Sequence, residues 1–368
     1  MSSDVYFINF RASFKENLFK KLDRLLDAAG ISDVVKQRRL VAVKLHFGET
    51  GNNAFIRPIF LREIVCKIKA LGGAPFLTDA NTLYAGTRCD SVHHTITAIQ
   101  NGFAYSVVDA PIIIADGLRG RNHTGVRIDQ KHVQTAYIGS EIINADALIA
   151  VAHFKGHEFS GFGGSLKNVG MGCASRAGKL VQHSGVSPKV KPKKCIGCGD
   201  CVHHCSWGAI SLVEETARID PEKCIGCGEC ILICPQSAIQ VKHGKSLPDF
   251  MEKIVEYSLA VLKNKQGKAL FLNFVNNVSP ACDCWPASDA PIVRDIGILA
   301  STDPVAIDQA SADLVNREPA LADSCLKTGR AAGDDKFKAL YPRVDWELQL
   351  AYAERIGLGK RAYNLTQI

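Results

Sequence analysis

Hydrophobic positions along the chain fall into short β-rich runs separated by longer amphipathic stretches. The runs lie at Val5 to Phe10, Leu40 to Phe47, Pro75 to Thr78, Ser106 to Val108, Leu148 to His153, Ala269 to Val275 and Ile296 to Leu299. Their length and composition suit strands. Between them, Ser13 to Ala29 reads as a helix with Ser13 as cap, Glu16 three residues on and Gly30 at its end. Pro58 to Leu71, closed by Gly72, and Pro248 to Lys263 read the same way, and Asp345 to Ile356 reads as a closing surface helix. This alternation predicts an α/β fold with a mostly parallel sheet and helices over both faces.

One region breaks the pattern. Eight of the fourteen cysteines stand in two runs, Cys195-Ile-Gly-Cys198-Gly-Asp-Cys201-Val-His-His-Cys205 and Cys224-Ile-Gly-Cys227-Gly-Glu-Cys230-Ile-Leu-Ile-Cys234. Each is C-x2-C-x2-C-x3-C, the spacing that holds cubane iron–sulfur clusters in bacterial-type ferredoxins. Gly197, Gly199, Gly226 and Gly228 permit the tight turns this wrapping needs and free amide N–H groups for sulfur. In two-cluster ferredoxins the fourth cysteine of each run serves the other cluster. The expected ligand sets are therefore Cys195, Cys198, Cys201 and Cys234 for cluster one, and Cys224, Cys227, Cys230 and Cys205 for cluster two. Structural zinc is the competing reading of C-x2-C pairs, but two complete runs sharing Lys-Cys-Ile-Gly-Cys-Gly favour two [4Fe-4S] clusters. Ser206 follows Cys205 where Pro235 follows Cys234, so cluster two, beside Trp207, is expected to be the wetter one. The expected organisation is an α/β domain in two parts, 1–187 and 246–368, interrupted by an inserted two-[4Fe-4S] ferredoxin-like module at 188–245, with Ser187-Pro188 before it and His243 to Pro248 after it.

Composition narrows the class. At 368 residues the chain is long for one compact core. No stretch approaches the apolar length of a membrane span, and the first residues lack a basic segment followed by a long apolar one, so a cytoplasmic protein is expected. Cluster ligands must be reduced thiolates, which predicts no disulfides. The formal charge is +7. Part of the excess sits at Lys189, Lys191, Lys193 and Lys194, without the interleaved aromatics of a nucleic-acid surface. A solvated linker or a docking point for an acidic redox partner fits better.

Candidate chemistry gathers at predicted strand ends. His153-Phe-Lys155-Gly-His157 follows a buried strand, at the edge where open α/β sheets place ligands. Its glycine-rich continuation could present N–H groups to an anion, with Lys155 or Lys167 supplying charge. A plain loop with satisfied histidines is the alternative. The glycines match neither dinucleotide nor P-loop spacing, so NAD and ATP are not indicated. In Cys282-Asp283-Cys284, between Pro280 and Pro286, the two sulfurs fall on one side of an extended segment and could chelate a metal or meet a cofactor together. Two ordinary reduced thiols are the alternative there. The catalytic candidates are His157, Lys167 and Asp283; the cofactor-binding candidates are His46, His153, Lys155, Asn168, Cys282 and Cys284. His46, Asp79, Asn81 and Asp303 are expected along one rim. His93-His94 and His203-His204 are expected to be solvated or locally bonded, with the latter pair able to tune a cluster. Cys66 falls on an apolar helical face and, like Cys89 and Cys325, receives no role; Cys173 adjoins the glycine loop.

The strings Lys44-Leu-His-Phe-Gly48, Gly156-His157 through Lys167-Asn168 to Gly172, and Cys282-Asp283-Cys284-Trp285 to Asp303-Pro304 resemble the uncharacterised Fe-S centre proteins of domain of unknown function family 362. That resemblance covers nearly the whole chain and implies a double ferredoxin module embedded in an α/β domain, with no established reaction. Gly-Gly-Ser-Leu-Lys-Asn also distantly resembles a lysine-bearing loop of lactate racemase-type nickel enzymes. Three functions follow: an electron relay to a redox partner protein or to a site in the α/β domain; a reductase of a small molecule held there; or a redox sensor or maturation factor. A bare carrier needs only the inserted module, which draws attention to the rest of the chain.

Overall fold

The computed structural model describes residues 2–183, 188–205, 207–224, 226–240 and 246–368. Its central sheet has seven strands: β1 (Ser3–Asn9), β2 (Leu40–Lys44), β3 (Ala74–Thr78), β4 (Ala147–His153), β5 (Ala269–Val275), β6 (Gly297–Ser301) and β7 (Tyr363–Gln367). Their order is β7-β1-β6-β5-β4-β2-β3. Every adjacent pair is parallel except the two made by β6, which runs against β1 and β5. The mostly parallel α/β sheet expected from the sequence is thus present, and β5, from the second half of the chain, pairs with β4 from the first.

Alternation along the strands explains the two-sided burial. On β5, Leu270, Leu272 and Phe274 face one core, while Ala269, Phe271 and Val275 face the other. The principal helices are α1 (Leu18–Ala28), α2 (Pro58–Ala70), α3 (Ser91–Gln100), α4 (Ser165–Gly170), α5 (Arg176–His183), α6 (Leu247–Leu262), α7 (Pro304–Arg317) and α8 (Glu347–Arg355). α1 and α2 cover the first face with Leu22, Leu25, Phe60 and Ile64; α4, α6, α7 and α8 cover the second with Leu166, Val255, Ile307 and Leu350. Each such side chain contributes about 1.5–3 kcal/mol on burial, which makes the sheet a rigid platform for the loops at its edge.

Several expectations need correction. Ser106 to Val108 belongs to a one-turn helix, Tyr105–Val108, because two valines behind Gly102 are too few to define a period. Residues 45–47 leave the sheet after Lys44. α1 begins at Leu18, capped by the Asn17 side chain on the Lys20 N–H at 2.9 Å, not by Ser13. α8 buries Leu350 and Ala353 completely, so it is not a mere surface helix, and β7 follows it. That edge strand alternates weakly and carries Asn364, Thr366 and Gln367, leaving little hydrophobic signal. Cys66 is exposed on α2, beside buried Val65 and Ile68.

The segment between the two halves holds two short helices, Asp200–His203 and Glu229–Ile233, a hairpin of Ile210–Val213 with Thr216–Ile219, and a short pairing of Lys189–Val190 with Ile239–Gln240. Its small core joins Ile210, Ile231 and Ile239 to Leu83 and Leu180 of the surrounding fold. Ser206, on which the hydration expectation rests, and the boundary residues at 187 and 243–245 lie outside the described residues.

Candidate active site and thiol clusters

The carboxyl ends of β2, β3, β4 and β5 lie at one edge of the sheet, as parallel strands require, and a cavity of about 660 Å³ opens there. Lys44 ends β2, Asp79 follows β3, and Lys155 and His157 follow β4; all four reach the cavity. Lys44 Nζ lies 3.1 Å from Asp79 Oδ1 and donates to Asn168 Oδ1 at 2.9 Å. Asn168 Nδ2 in turn donates to the carbonyls of Lys44 and Val151, so one amide clamps two strand ends together. The helix carrying Lys167 and Asn168 is aimed by Asp308 on α7, whose carboxylate accepts the N–H groups of Ser165 and Leu166 at 2.7 and 2.9 Å. Burial pushes the Asp308 carboxyl up to about 6.

The cysteine segment crosses this edge. Trp285 N–H donates to the Cys282 carbonyl at 3.0 Å, closing a turn that carries both cysteines. Lys167 Nζ is 2.9 Å from Cys282 Sγ. The hydrogen bond from Cys284, backed by Lys167 and Lys155, pulls the Cys282 thiol well below the usual range; that same hydrogen bond and burial hold Cys284 well above it. Cys282 is fully buried, whereas Cys284 borders the cavity. Asp283 lies beneath the cavity, 2.9 Å from His153 Nδ1 and 3.3 Å from Lys155 Nζ. Burial would raise its carboxyl, but His153 and Lys155 outweigh that and hold it well below the carboxylate range. His153 also contacts the Asn276 carbonyl through Nε2 at 2.9 Å. Both residues therefore brace the cysteine turn from below.

Five cations, Lys44, Arg88, Lys155, Lys167 and Lys179, and three carboxylates, Glu49, Asp79 and Glu158, line the cavity. Burial holds His46 neutral, and the four charged groups acting on it most strongly, Arg88, Lys155, Lys167 and Lys44, are all cations. His46 Nδ1 accepts the Gly48 N–H at 3.0 Å, which leaves Nε2 to carry the proton. His157 is likewise held neutral by burial and by Lys167 and Lys155, with its Nδ1 2.9 Å from Ser160 Oγ. Sequence reasoning missed Arg88, Glu49, Tyr84 and Lys179. Arg88 is buried against Asp79 and Glu49, and Lys179 reaches in from α5. Tyr84 Oη donates to Glu49 at 2.8 Å and lies 3.1 Å from the Cys284 carbonyl. Paired Arg and Glu residues in loops after predicted strands were the available signal.

Other expected rim residues lie elsewhere. Asn81 is buried and holds Asp116 and the Gly117 carbonyl. Asp303 follows β6, the antiparallel strand, and so sits at the opposite sheet edge, where it caps α7. His93 is exposed beside Asp90, but His94 is fully buried, and burial together with Arg88 pushes it down to about 3. Cys173 is a core residue.

The eight cysteines of the inserted segment form two groups. Cys195, Cys198, Cys201 and Cys234 surround one small cavity; Cys205, Cys224, Cys227 and Cys230 surround another, with Trp207 and His204 at its wall. Gly197, Gly199, Gly226 and Gly228 all take left-handed φ values between 67° and 80°. Backbone N–H groups of Ala217, Ala209 and Ala238 point at the sulfurs of Cys195, Cys205 and Cys234 at 3.4, 3.3 and 3.2 Å. Four converging thiols with N–H donors fit a cubane cluster at each place.

A family model described as a domain of unknown function, DUF362, matches residues 41–313. The chain belongs to the DUF362 family. The matched span contains the cavity, the cysteine turn and both thiol groups of this DUF362 chain. Among solved structures, the apoprotein of lactate racemase from Thermoanaerobacterium thermosaccharolyticum is 12% identical with a TM-score of 0.36, the match covering 74% of this chain and 50% of that one. A Thermotoga maritima protein is 11% identical with a TM-score of 0.39, covering 76% and 53%. The DUF362 chain thus spans about half the length of these structures. No curated protein matches it.

No helix among the described residues is long and apolar enough to cross a membrane. Among them, the only cluster of three or more His, Cys, Asp or Glu donors packed closely enough for a single metal ion is His132, Asp249 and Glu252, and there Glu252 is already paired with Lys131, His132 and Arg355.

Proposed function

We propose that this chain is a cytoplasmic iron–sulfur oxidoreductase that uses two [4Fe-4S] clusters to serve a small anionic acceptor held in the sheet-edge cavity. Cys195, Cys198, Cys201 and Cys234 would hold one cluster, and Cys224, Cys227, Cys230 and Cys205 the other. When bound, such clusters supply single electrons at low potential. The observation that carries this reading is a shared wall: Leu83 lines the cavity and also packs into the core of the cysteine segment. Gly228, between two ligands of the second group, approaches it so closely that a Cβ there would lie 2.9 Å from Leu83 Cδ1. Arg176 on α5 fixes the approach by pairing with the buried Glu229 at 3.0 Å, helped by Arg119 at 2.8 Å.

The chain's own residues divide the remaining work. Lys44, Arg88, Lys155, Lys167 and Lys179 outnumber Glu49, Asp79 and Glu158 in the cavity wall, an excess that favours negative charge, and His46 offers an N–H donor. The first thiol group faces outward: Cys198 and Ile196 are exposed beside exposed Lys191, Lys193 and Lys194, a suitable entry for an acidic electron-donor protein.

Anaerobic isolation followed by iron, sulfide, zinc and nickel analysis tests the reading. About eight irons and eight sulfides per chain are expected for two cubanes. Zinc in place of iron would overturn it.

A further inference from the structure

We infer that Cys282 and Cys284 form a redox-active dithiol–disulfide couple that accepts two electrons from the iron–sulfur module and delivers them to a disulfide-type acceptor in the cavity. The inference deepens the oxidoreductase reading and rests on it.

Four observations converge on the pair. The Trp285 N–H bond to the Cys282 carbonyl closes a turn with Cys282 and Cys284 at its first and third positions, a placement from which an S–S bond needs no large backbone movement. The partners have unequal surroundings: Cys282 is fully buried against the Lys167 ammonium at 2.9 Å, and Cys284 borders the cavity. An ammonium beside a thiol favours thiolate, the form that attacks disulfides. Finally, the route from the cysteine segment is short in residues: Leu83 packs at Gly228, and the next residue, Tyr84, has its hydroxyl 3.1 Å from the Cys284 carbonyl.

The steps balance. In the oxidised couple an S–S bond joins Cys282 to Cys284; two electrons from one-electron iron–sulfur donors and one proton open it to a Cys282 thiolate, paired with Lys167, and a Cys284 thiol. On the acceptor side, Cys284 passes its proton to the Cys282 thiolate as it attacks one sulfur of a disulfide R–S–S–R′, forming a mixed disulfide and expelling R–S⁻. Cys282 gives that proton to R–S⁻, and its thiolate attacks Cys284 Sγ, re-forms the internal S–S bond and expels R′–S⁻, which takes the second proton from water. The sum is one disulfide, two electrons and two protons giving two thiols. The cationic field at His46 and His157 favours an acceptor that also carries carboxylates.

The test uses the full chain, isolated anaerobically with its iron content measured, and oxidised glutathione as probe. After treatment and alkylation, the peptide containing both cysteines should be lighter by two hydrogens and take no alkyl label. Addition of reduced methyl viologen should restore two labelled thiols, and a Cys227→Ser chain should lose that restoration. Lys167→Met should close the disulfide about tenfold more slowly at neutral pH, with the rate recovering as pH rises. Two alkylatable thiols surviving the oxidant in the wild-type chain would overturn the couple and leave the oxidoreductase reading in place. Restoration that is equally fast in Cys227→Ser would overturn the link to the module, and the oxidoreductase reading with it.

Discussion

Lys179 shows how a single residue reports on the cavity. Burial lowers its ammonium to about 8 against the opposing pull of Asp116 and Asp79. Because the folded value lies below the unfolded 10.5, the unfolded chain binds more protons between those pH values, and stability rises with pH across that window. Below about pH 8 the cost is fully present. Lys179→Met should therefore flatten the pH dependence between pH 8 and 10.5 and remove a cost of about 1–3 kcal/mol at neutral pH; urea unfolding at several pH values measures it, and parallel curves for the two proteins would refute it. Residues such as His46, Lys155 and His157 were legible because they follow apolar runs that had to be parallel strands. Arg88 and Lys179 were not, since loops and helices fixed by tertiary packing bring them in.

At the scale of elements, the cavity depends on how two loops meet. Gly156 N–H donates to the Ser279 carbonyl at 2.8 Å, and a Cβ on Gly156 would stand 2.0 Å from the Pro280 carbonyl oxygen. Backbone against backbone leaves no room for adjustment. Gly156→Ala should lower stability by about 1–3 kcal/mol, visible as a lower urea midpoint, and should separate the cysteine turn from the Lys155 side of the cavity. An unchanged midpoint would contradict this packing. The sequence made six of the seven strands readable through runs rich in Val, Ile, Leu and Phe. It concealed β7, whose exposed edge needs few apolar residues, and the reversed direction of β6, which placed Asp303 at the wrong edge in the sequence reading. Direction depends on connection geometry, and single residues carry no mark of it.

For the whole molecule, the proposed electron route depends on the arrangement of the inserted segment. Cysteine spacing alone predicted a cluster-binding module with crossed ligand sets. Which group faces the α/β fold was not legible, because the contact depends on Leu83, Arg176 and Glu229, ordinary residues far apart in sequence. Their packing places the second thiol group toward the cavity and leaves the first near an exposed lysine-rich stretch. The most direct test of this account is an anaerobic coulometric titration of the fully oxidised, iron-loaded chain, counting the electrons it takes up. The account predicts about four, one for each cluster and two for the Cys282–Cys284 couple. An uptake of about two would confine redox chemistry to the clusters and remove the cavity from the route, and no uptake at all would contradict the account at its base.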